Sequence, residues 1–147
     1  MIESAEHFSF TVSSLEETLR FFCDFLGLKA TPIMEVENED VQKIIGMPGA
    51  SLRISLVEIP DKSSIELIEY VRPKGKAIDL NTSNPGVAHI AFAVTNIEEM
   101  YEDLSHKGVK FVNPPVWAPG NDGKGRWRVC YLRGPDGITL EIIERQG

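Results

Sequence analysis

Two six-residue stretches of the chain alternate strictly between apolar side chains and polar or small ones. The first is residues 7–12 (HFSFTV) and the second is residues 89–94 (HIAFAV). A period of two predicts a β-strand with its apolar side chains on one face. The histidine that begins each stretch falls on the opposite face, beside serine, threonine or alanine. The chain therefore contains an internal repeat that begins with a strand.

A helical pattern follows each stretch. Ser14 and Glu17 match a capping box at the start of the first helix, and Gly27 is placed to end it. Asn96 is the predicted cap of the second helix, and Gly108 is placed to end it. Apolar side chains recur at helical spacing in between: Leu15, Leu19, Phe22 and Leu26 in the first helix, and Ile97, Met100, Tyr101 and Leu104 in the second.

Three strand-like runs follow each helix. They cover residues 28–36, 52–59 and 65–71 in the first half, and residues 110–116, 126–132 and 138–145 in the second. A short helix is predicted within residues 38–48. The pattern indicates an α+β fold of two βαβββ modules, residues 1–71 and 87–147, which a polar linker at 72–86 joins into one structural domain.

The composition narrows the class of protein. With 147 residues, 42% of them hydrophobic, the chain is long enough for a packed core. The net charge of −7 disfavours a nucleic-acid partner. No apolar run reaches the roughly 18 residues of a membrane span, and no signal-peptide pattern is present. We expect a cytoplasmic protein with a small-molecule substrate and no membrane partner, in which two cysteines form no disulfide framework.

Two histidines and two glutamates occupy the same two positions of both modules. His7 and His89 begin the first strands, while Glu66 and Glu141 lie between apolar residues of the last strands. A lone strand histidine or glutamate is usually a solvated surface residue. Repetition of both residues favours a site instead, because imidazole and carboxylate are common ligands of divalent metals. Glutamates of opposite parity are expected on a solvent-exposed face: Glu69 and Glu144.

These motifs, together with residues 64–70 (SIELIEY), 86–94 (GVAHIAFAV) and 134–141 (GPDGITLE), resemble the vicinal oxygen chelate superfamily. That superfamily includes glyoxalase I, methylmalonyl-CoA epimerase, extradiol dioxygenases, and fosfomycin and bleomycin resistance proteins. The resemblance implies a glyoxalase-like fold, in which paired modules form a curled mixed sheet around a metal cavity. It also implies a homodimer, with the metal site either within one chain or shared between two, and four ligand positions: His7, Glu66, His89 and Glu141.

The four-ligand set is most similar to that of glyoxalase I and the epimerase. The resemblance implies a lyase or isomerase that acts on a small carbonyl compound through a metal-stabilised enediolate or enolate. The metal would be Ni, Co, Zn or Mn, and Glu141 would be the general base, with Glu66 as the alternative. Thr11 and Tyr70 stand where bacterial glyoxalase I usually has the arginine and asparagine that contact glutathione, so glutathione is not implied.

Two other functions stay open. An extradiol-type ring-cleaving dioxygenase would hold Fe(II) with His7, His89 and Glu141 alone. A metal-free antibiotic-binding resistance protein would need none of these ligands.

Five further residues are candidates for substrate binding. Tyr70, Trp117 and Trp127 would contact an apolar or ring portion, although each could equally be a core residue. Arg126 and Arg128 share one face of a strand and would bind a carboxylate or phosphate. An exposed basic strand edge is the other explanation for the two arginines.

Overall fold

The computed structural model describes residues 1–120 and 123–146, and the chain divides into two units, Met1–Ala77 and Ile78–Gly147. The boundary between the units lies in the polar segment 72–86. Each unit contains a strand, a helix and then further strands, so the predicted α+β class is confirmed. Among the residues described, no helix has the length and apolarity that a bilayer crossing requires.

The first unit is a five-stranded sheet with two helices. The elements are β1 (Phe8–Thr11), α1 (Leu15–Leu19, continued as a π-helix over Arg20–Phe25), β2 (Lys29–Ala30), β3 (Met34–Val36), α2 (Glu39–Ile45), β4 (Ser51–Glu58) and β5 (Ser64–Arg72). The strands have the order β1-β5-β4-β2, and β3 also pairs with β4. β1 and β5 are parallel, whereas the other pairs are antiparallel.

In the residues that the structure describes, the second unit repeats this topology without a counterpart of α2. The elements are β6 (His89–Ala93), α3 (Ile97–His106), β7 (Lys110–Phe111), β8 (Val116–Pro119), β9 (Arg126–Arg133) and β10 (Thr139–Arg145). The strands have the order β6-β10-β9-β7, and β8 also pairs with β9. A 3₁₀ turn at Pro135–Gly137 connects β9 to β10.

Each unit has its own apolar core between one helix and one face of its sheet. We call this the helix face and call the opposite side the open face. Because side chains alternate along a strand, successive residues project to opposite faces of the sheet. The core between helix and sheet includes Leu15, Phe22, Val57, Ile65 and Leu67 in the first unit, and Ile97, Leu104, Leu132, Leu140 and Ile142 in the second.

The outer strands differ from the prediction. Each of the runs 28–36 and 110–116 is broken into two short strands, with residues 31–33 between β2 and β3 and residues 112–115 between β7 and β8. Pro32 lies in the first break, and Pro114 and Pro115 lie in the second. Proline has no backbone N–H to donate to a neighbouring strand, so the pairing is interrupted there.

The first helix also differs, because it changes from α to π geometry after Leu19. The N–H of Leu26 bonds to the carbonyl of Phe21, five residues back, at 3.1 Å. The wider turn brings both Phe21 and Phe22 into the core, whereas regular helical spacing predicts only Phe22 there. Gly27 ends the helix in the left-handed conformation, as predicted, with φ 73°.

The two glutamates predicted to be solvated instead cap helices. Glu69 Oε2 accepts from the backbone N–H of Leu15, and Glu144 Oε1 accepts from that of Asn96, both at 2.8 Å. Asn96 itself has φ 54° and makes no side-chain cap. Asn96 is therefore the N-cap residue, as predicted, but a carboxylate from the last strand, rather than the asparagine side chain, accepts a hydrogen bond at the helix start.

Candidate metal centre

The first unit brings His7 and Glu66 together on its open face. Ser9 pairs with Glu66 in the β1–β5 register, and His7 precedes Ser9 by two residues, so the three side chains project from the same face. His7 Nε2 lies 3.6 Å from Glu66 Oε1. Ser9 Oγ donates to the same oxygen at 3.4 Å. The predicted pair is thus adjacent and has one supporting hydroxyl.

Glu6 is a partner of His7 that the sequence did not identify. Its carboxylate contacts His7 Nδ1, and this hydrogen bond, opposed by partial burial and assisted by the charge of Glu66, raises the pKa of His7. A carboxylate on one ring nitrogen leaves the other free for a metal, and metal-binding histidines usually have such a partner. The arrangement therefore presents Nε2 toward Glu66.

The second unit brings His89 and Glu141 together in the equivalent place. Glu141 pairs with Ala91 in the β6–β10 register, and His89 lies two residues before Ala91 on the same face. His89 Nε2 is 3.1 Å from Glu141 Oε2. The Glu141 side chain is 15% exposed, compared with 22% for Glu66, so Glu141 is the better shielded of the two carboxylates.

Tyr131 joins the second pair and has no counterpart in the first. It lies opposite Glu141 in the β9–β10 register, and its hydroxyl is 3.5 Å from His89 Nε2. Burial, assisted by the charge of Glu141, raises the pKa of the Tyr131 phenol, which keeps it protonated. Leu56 occupies the matching position opposite Glu66. Nothing in the sequence distinguished Tyr131 from an ordinary strand tyrosine.

The donor set is of the kind that divalent metals take in proteins. Each pair offers one imidazole nitrogen and one carboxylate oxygen on a partly exposed face. Within the described part of the chain, no three or more His, Cys, Asp or Glu side chains form one group able to hold a metal ion. The four predicted ligands are thus two pairs, one in each unit.

Two of the predicted substrate-binding residues share a strand face with these pairs. Tyr70 has the parity of Glu66 along β5, four residues farther on. Trp127 has the parity of Tyr131 along β9 and is 8% exposed. The Arg145 guanidinium lies 4.9 Å from the centre of the Trp127 ring. Both aromatic residues remain candidates for contact with substrate.

The other three predicted substrate residues cluster elsewhere. Trp117 pairs with Arg128 in the β8–β9 register, and the guanidinium groups of Arg126 and Arg128 lie 5.5 and 5.1 Å from its ring centre. The β9–β10 register has no bulge, so Arg128 projects from the face opposite to Tyr131. There Arg128 pairs with Glu98 of α3. The cluster is on the helix face, away from His89.

Comparisons with known proteins identify the family of the chain. The sequence profile of the Glyoxalase/Bleomycin resistance protein/Dioxygenase superfamily matches residues 4–142. A 2-epi-5-epi-valiolone epimerase from Actinomyces sp is 25% identical over 145 residues, which are 95% of this chain and 78% of that protein. A probable lactoylglutathione lyase from Synechocystis is also 25% identical, over 94% of this chain and 92% of its own length.

Solved structures show the same fold. A glyoxalase family protein from Bacillus cereus superposes with a TM-score of 0.87 and 27% identity, covering 100% of this chain and 97% of its own. The glyoxalase I of Leishmania major superposes with a TM-score of 0.65 at 16% identity, covering 97% and 87% of the two chains.

Proposed function

Because the chain belongs to the Glyoxalase/Bleomycin resistance protein/Dioxygenase superfamily, we propose that it is a metal-dependent lyase or isomerase of the glyoxalase I type, acting on a small carbonyl compound. The superfamily contains lyases and epimerases, and its members typically use divalent metals. The observation that supports the proposal most is the repeated pair, since each unit sets one histidine against one glutamate at the same positions of its sheet.

In this proposal His7, Glu66, His89 and Glu141 hold the metal. Imidazole nitrogen and carboxylate oxygen suit Zn, Ni, Co or Mn. When bound, the metal would supply a Lewis acid that polarises the substrate carbonyl.

In this proposal the general base is Glu141. Glu141 removes the proton from the carbon beside the carbonyl and returns it to the neighbouring carbon or to the opposite face of the same carbon. Its low exposure favours it over Glu66, because a shielded carboxylate is less hydrated and holds its proton in place between the two steps. The protonated Tyr131 hydroxyl beside His89 is placed to donate a hydrogen bond to a substrate oxygen.

The proposal also names a class of substrate and an oligomeric state. The substrate is a small molecule without glutathione, because Thr11 and Tyr70 stand where bacterial glyoxalase I usually has the arginine and asparagine that contact glutathione. The chain forms a homodimer, as its resemblance to the family implies.

Elemental analysis of protein purified without chelator tests the proposal. We expect close to one divalent ion per chain. The His7→Ala and His89→Ala variants should lose the ion, and the His106→Ala variant should retain it. His106 is the matched control, because it lies in the last turn of α3, where its Nδ1 is 2.7 Å from the carbonyl oxygen of Glu102. Circular dichroism of each variant would confirm that it folds.

The same measurement separates the other functions. Ferrous iron together with consumption of dioxygen in the presence of a catechol would point to the dioxygenase. No metal after reconstitution would contradict the proposal and leave the antibiotic-binding protein.

A further inference from the structure

Apolar side chains border Glu66 on the open face of the first unit. The β4–β5 register places Leu56 opposite Glu66, and in the next row Ile54 lies opposite Ile68. Met34 of β3 lies opposite Ile54 and extends this row. Because residues two apart on a strand share a face, all five side chains project from the side that carries Glu66. We call the four apolar residues the apolar patch: Leu56, Ile54, Ile68 and Met34.

The apolar patch is accessible in the part of the chain that the structure describes. Met34 is 48% exposed, and the other three side chains are half-buried. Neighbouring strands are about 4.8 Å apart and successive rows about 7 Å apart, so the patch extends roughly 10 Å across three strands. A single ring or a short branched chain is therefore large enough to cover it while staying within one row of Glu66.

The second unit offers less apolar surface at the matching positions. Tyr131 stands in the place of Leu56, so a hydroxyl interrupts the apolar row beside the carboxylate. Ile143 stands in the place of Ile68 and is only 9% exposed, so it presents little area to a ligand. The accessible apolar surface beside a predicted metal ligand is thus more extensive in the first unit.

The surroundings of the apolar patch favour an uncharged, apolar occupant. The same two rows continue into β1 as Ser9 and Thr11, so Glu66 is the one charged side chain in them. A carboxylate or phosphate would lack a counter-charge and would face Glu66. A polyhydroxylated group would lose water without gaining hydrogen bonds from the apolar side chains. A hydrocarbon or aromatic group instead removes apolar area of both partners from water.

A small ligand also explains the apolar patch better than a second copy of the chain. Four partly exposed side chains provide far less than the roughly 800 Å² that each partner buries in a stable interface. The charged group at the edge of the patch is unlike the centre of such an interface, where charged residues are depleted. A ligand whose reacting end lies at Glu66 has neither requirement.

We propose that the apolar patch binds the non-reacting part of the substrate, a hydrocarbon chain or an aromatic ring attached to the carbonyl-bearing carbons. This inference rests on the proposed function and names its substrate class, which is aromatic or branched aliphatic carbonyl compounds. Recognition of the apolar part is thereby assigned to β3, β4 and β5 of the first unit, rather than to Trp117 on the helix face of the second.

The test is an NMR titration of the full chain, free of metal, with acetophenone and separately with acetone, the same methyl ketone without the ring. We expect saturable shifts of the Ile54 and Ile68 amide signals with acetophenone, and a dissociation constant for acetone that is higher by roughly tenfold or more. Ile68→Val removes one methylene, and Met34→Gln places a polar group at the end of a side chain of similar length. Each variant should raise the dissociation constant for acetophenone roughly fourfold, as for one buried methylene.

Ile44→Val and Met47→Gln are the matched control variants. Ile44 is 81% exposed on α2 and Met47 is 41% exposed, and both lie outside the strands of the sheet. Neither substitution should change the dissociation constant for acetophenone.

Three results would each overturn the inference: absence of saturable shifts, equal binding of the two ketones, or unchanged binding by both patch variants. Sedimentation velocity tests the other occupant, since dissociation of a dimer in Met34→Gln without acetophenone binding to the wild type would assign the patch to a second copy. Because no metal is present, these results are independent of the metal analysis, and either proposal can fail alone.

Discussion

Arg53 and Glu69 lie opposite each other on neighbouring strands of the first unit, and Arg53 Nη1 donates to Glu69 Oε2 at 3.1 Å. Arg53 also pairs with Glu16 in the first turn of α1. The second unit repeats the pattern, since Arg128 lies opposite Glu144 and pairs with Glu98 in the first turn of α3. An arginine thus ties the start of each helix to its sheet.

This equivalence predicts a structural role for Arg128. Arg128→Ala should lower the free energy of unfolding by about 1–3 kcal/mol, because it removes a partly buried guanidinium that also donates to the carbonyl of Pro115 at 3.1 Å. Urea denaturation would measure the loss. The KM for substrate should not change. Arg126→Ala, which removes an exposed side chain from the same cluster, is the control and should change neither quantity. A raised KM in the Arg128→Ala variant, with no change in Arg126→Ala, would indicate that Arg128 binds substrate.

The capping glutamates predict a second effect on stability. Glu144→Ala should cost about 1 kcal/mol of folding free energy, since the N–H of Asn96 loses its acceptor at the start of α3. Glu69→Ala should cost more, because Glu69 also accepts from Arg53. Thermal or urea unfolding would measure both losses against Glu102→Ala, an exposed helix position. Equal stability of all three variants would contradict the capping role.

Glu16 should make the free energy of unfolding depend on pH in the acid range. The hydrogen bond from Arg53 is the main reason why the pKa of Glu16 is below its ordinary value. A carboxyl with a lowered folded-state pKa stabilises the fold above its unfolded pKa and loses that contribution as the pH falls through the folded pKa. Glu16→Gln should therefore be less stable than the wild type at pH 7 and equal to it at strongly acid pH. A difference that persists unchanged into strong acid would contradict this assignment.

The thiols should differ in reactivity. Burial raises the pKa of Cys130 to about 11, and its side chain packs in the core of the second unit. Iodoacetamide at pH 8 should leave Cys130 unmodified in the folded protein and alkylate it in urea, because the thiolate is the reactive form. Mass spectrometry after digestion would identify the modified residue. Cys23 is only partly buried, so it serves as the internal comparison and should react faster.

Much of the architecture follows from sequence patterns that are local. The alternation of residues 7–12 and 89–94 placed both histidines on the correct strand face, and the repeat placed both glutamates beside them. The breaks at Pro32 and at Pro114–Pro115 were predictable from the missing N–H groups, whereas the π-helical turn was not. It arises because two adjacent phenylalanines, Phe21 and Phe22, both fit the core.

The other residues of the candidate site could not be predicted, because their positions depend on the register between strands. Tyr131 reaches His89 only because β9 pairs with β10 so that Tyr131 faces Glu141, and no local pattern encodes that pairing. In the same register, the Arg128 side chain projects from the helix face. Parity places Glu69 and Glu144 on the opposite face from Glu66 and Glu141, but it could not show that a helix begins within reach of each of these two carboxylates.

The exchange of Leu56 for Tyr131 makes the two otherwise matched pairs chemically unlike. A leucine side chain can neither donate nor accept a hydrogen bond, whereas the Tyr131 phenol can do both. A polar group that approaches the second pair therefore meets a hydroxyl, and one that approaches the first pair meets only methyl groups at the matching position. A single position on the ninth strand thus gives different chemistry to two units that otherwise repeat each other.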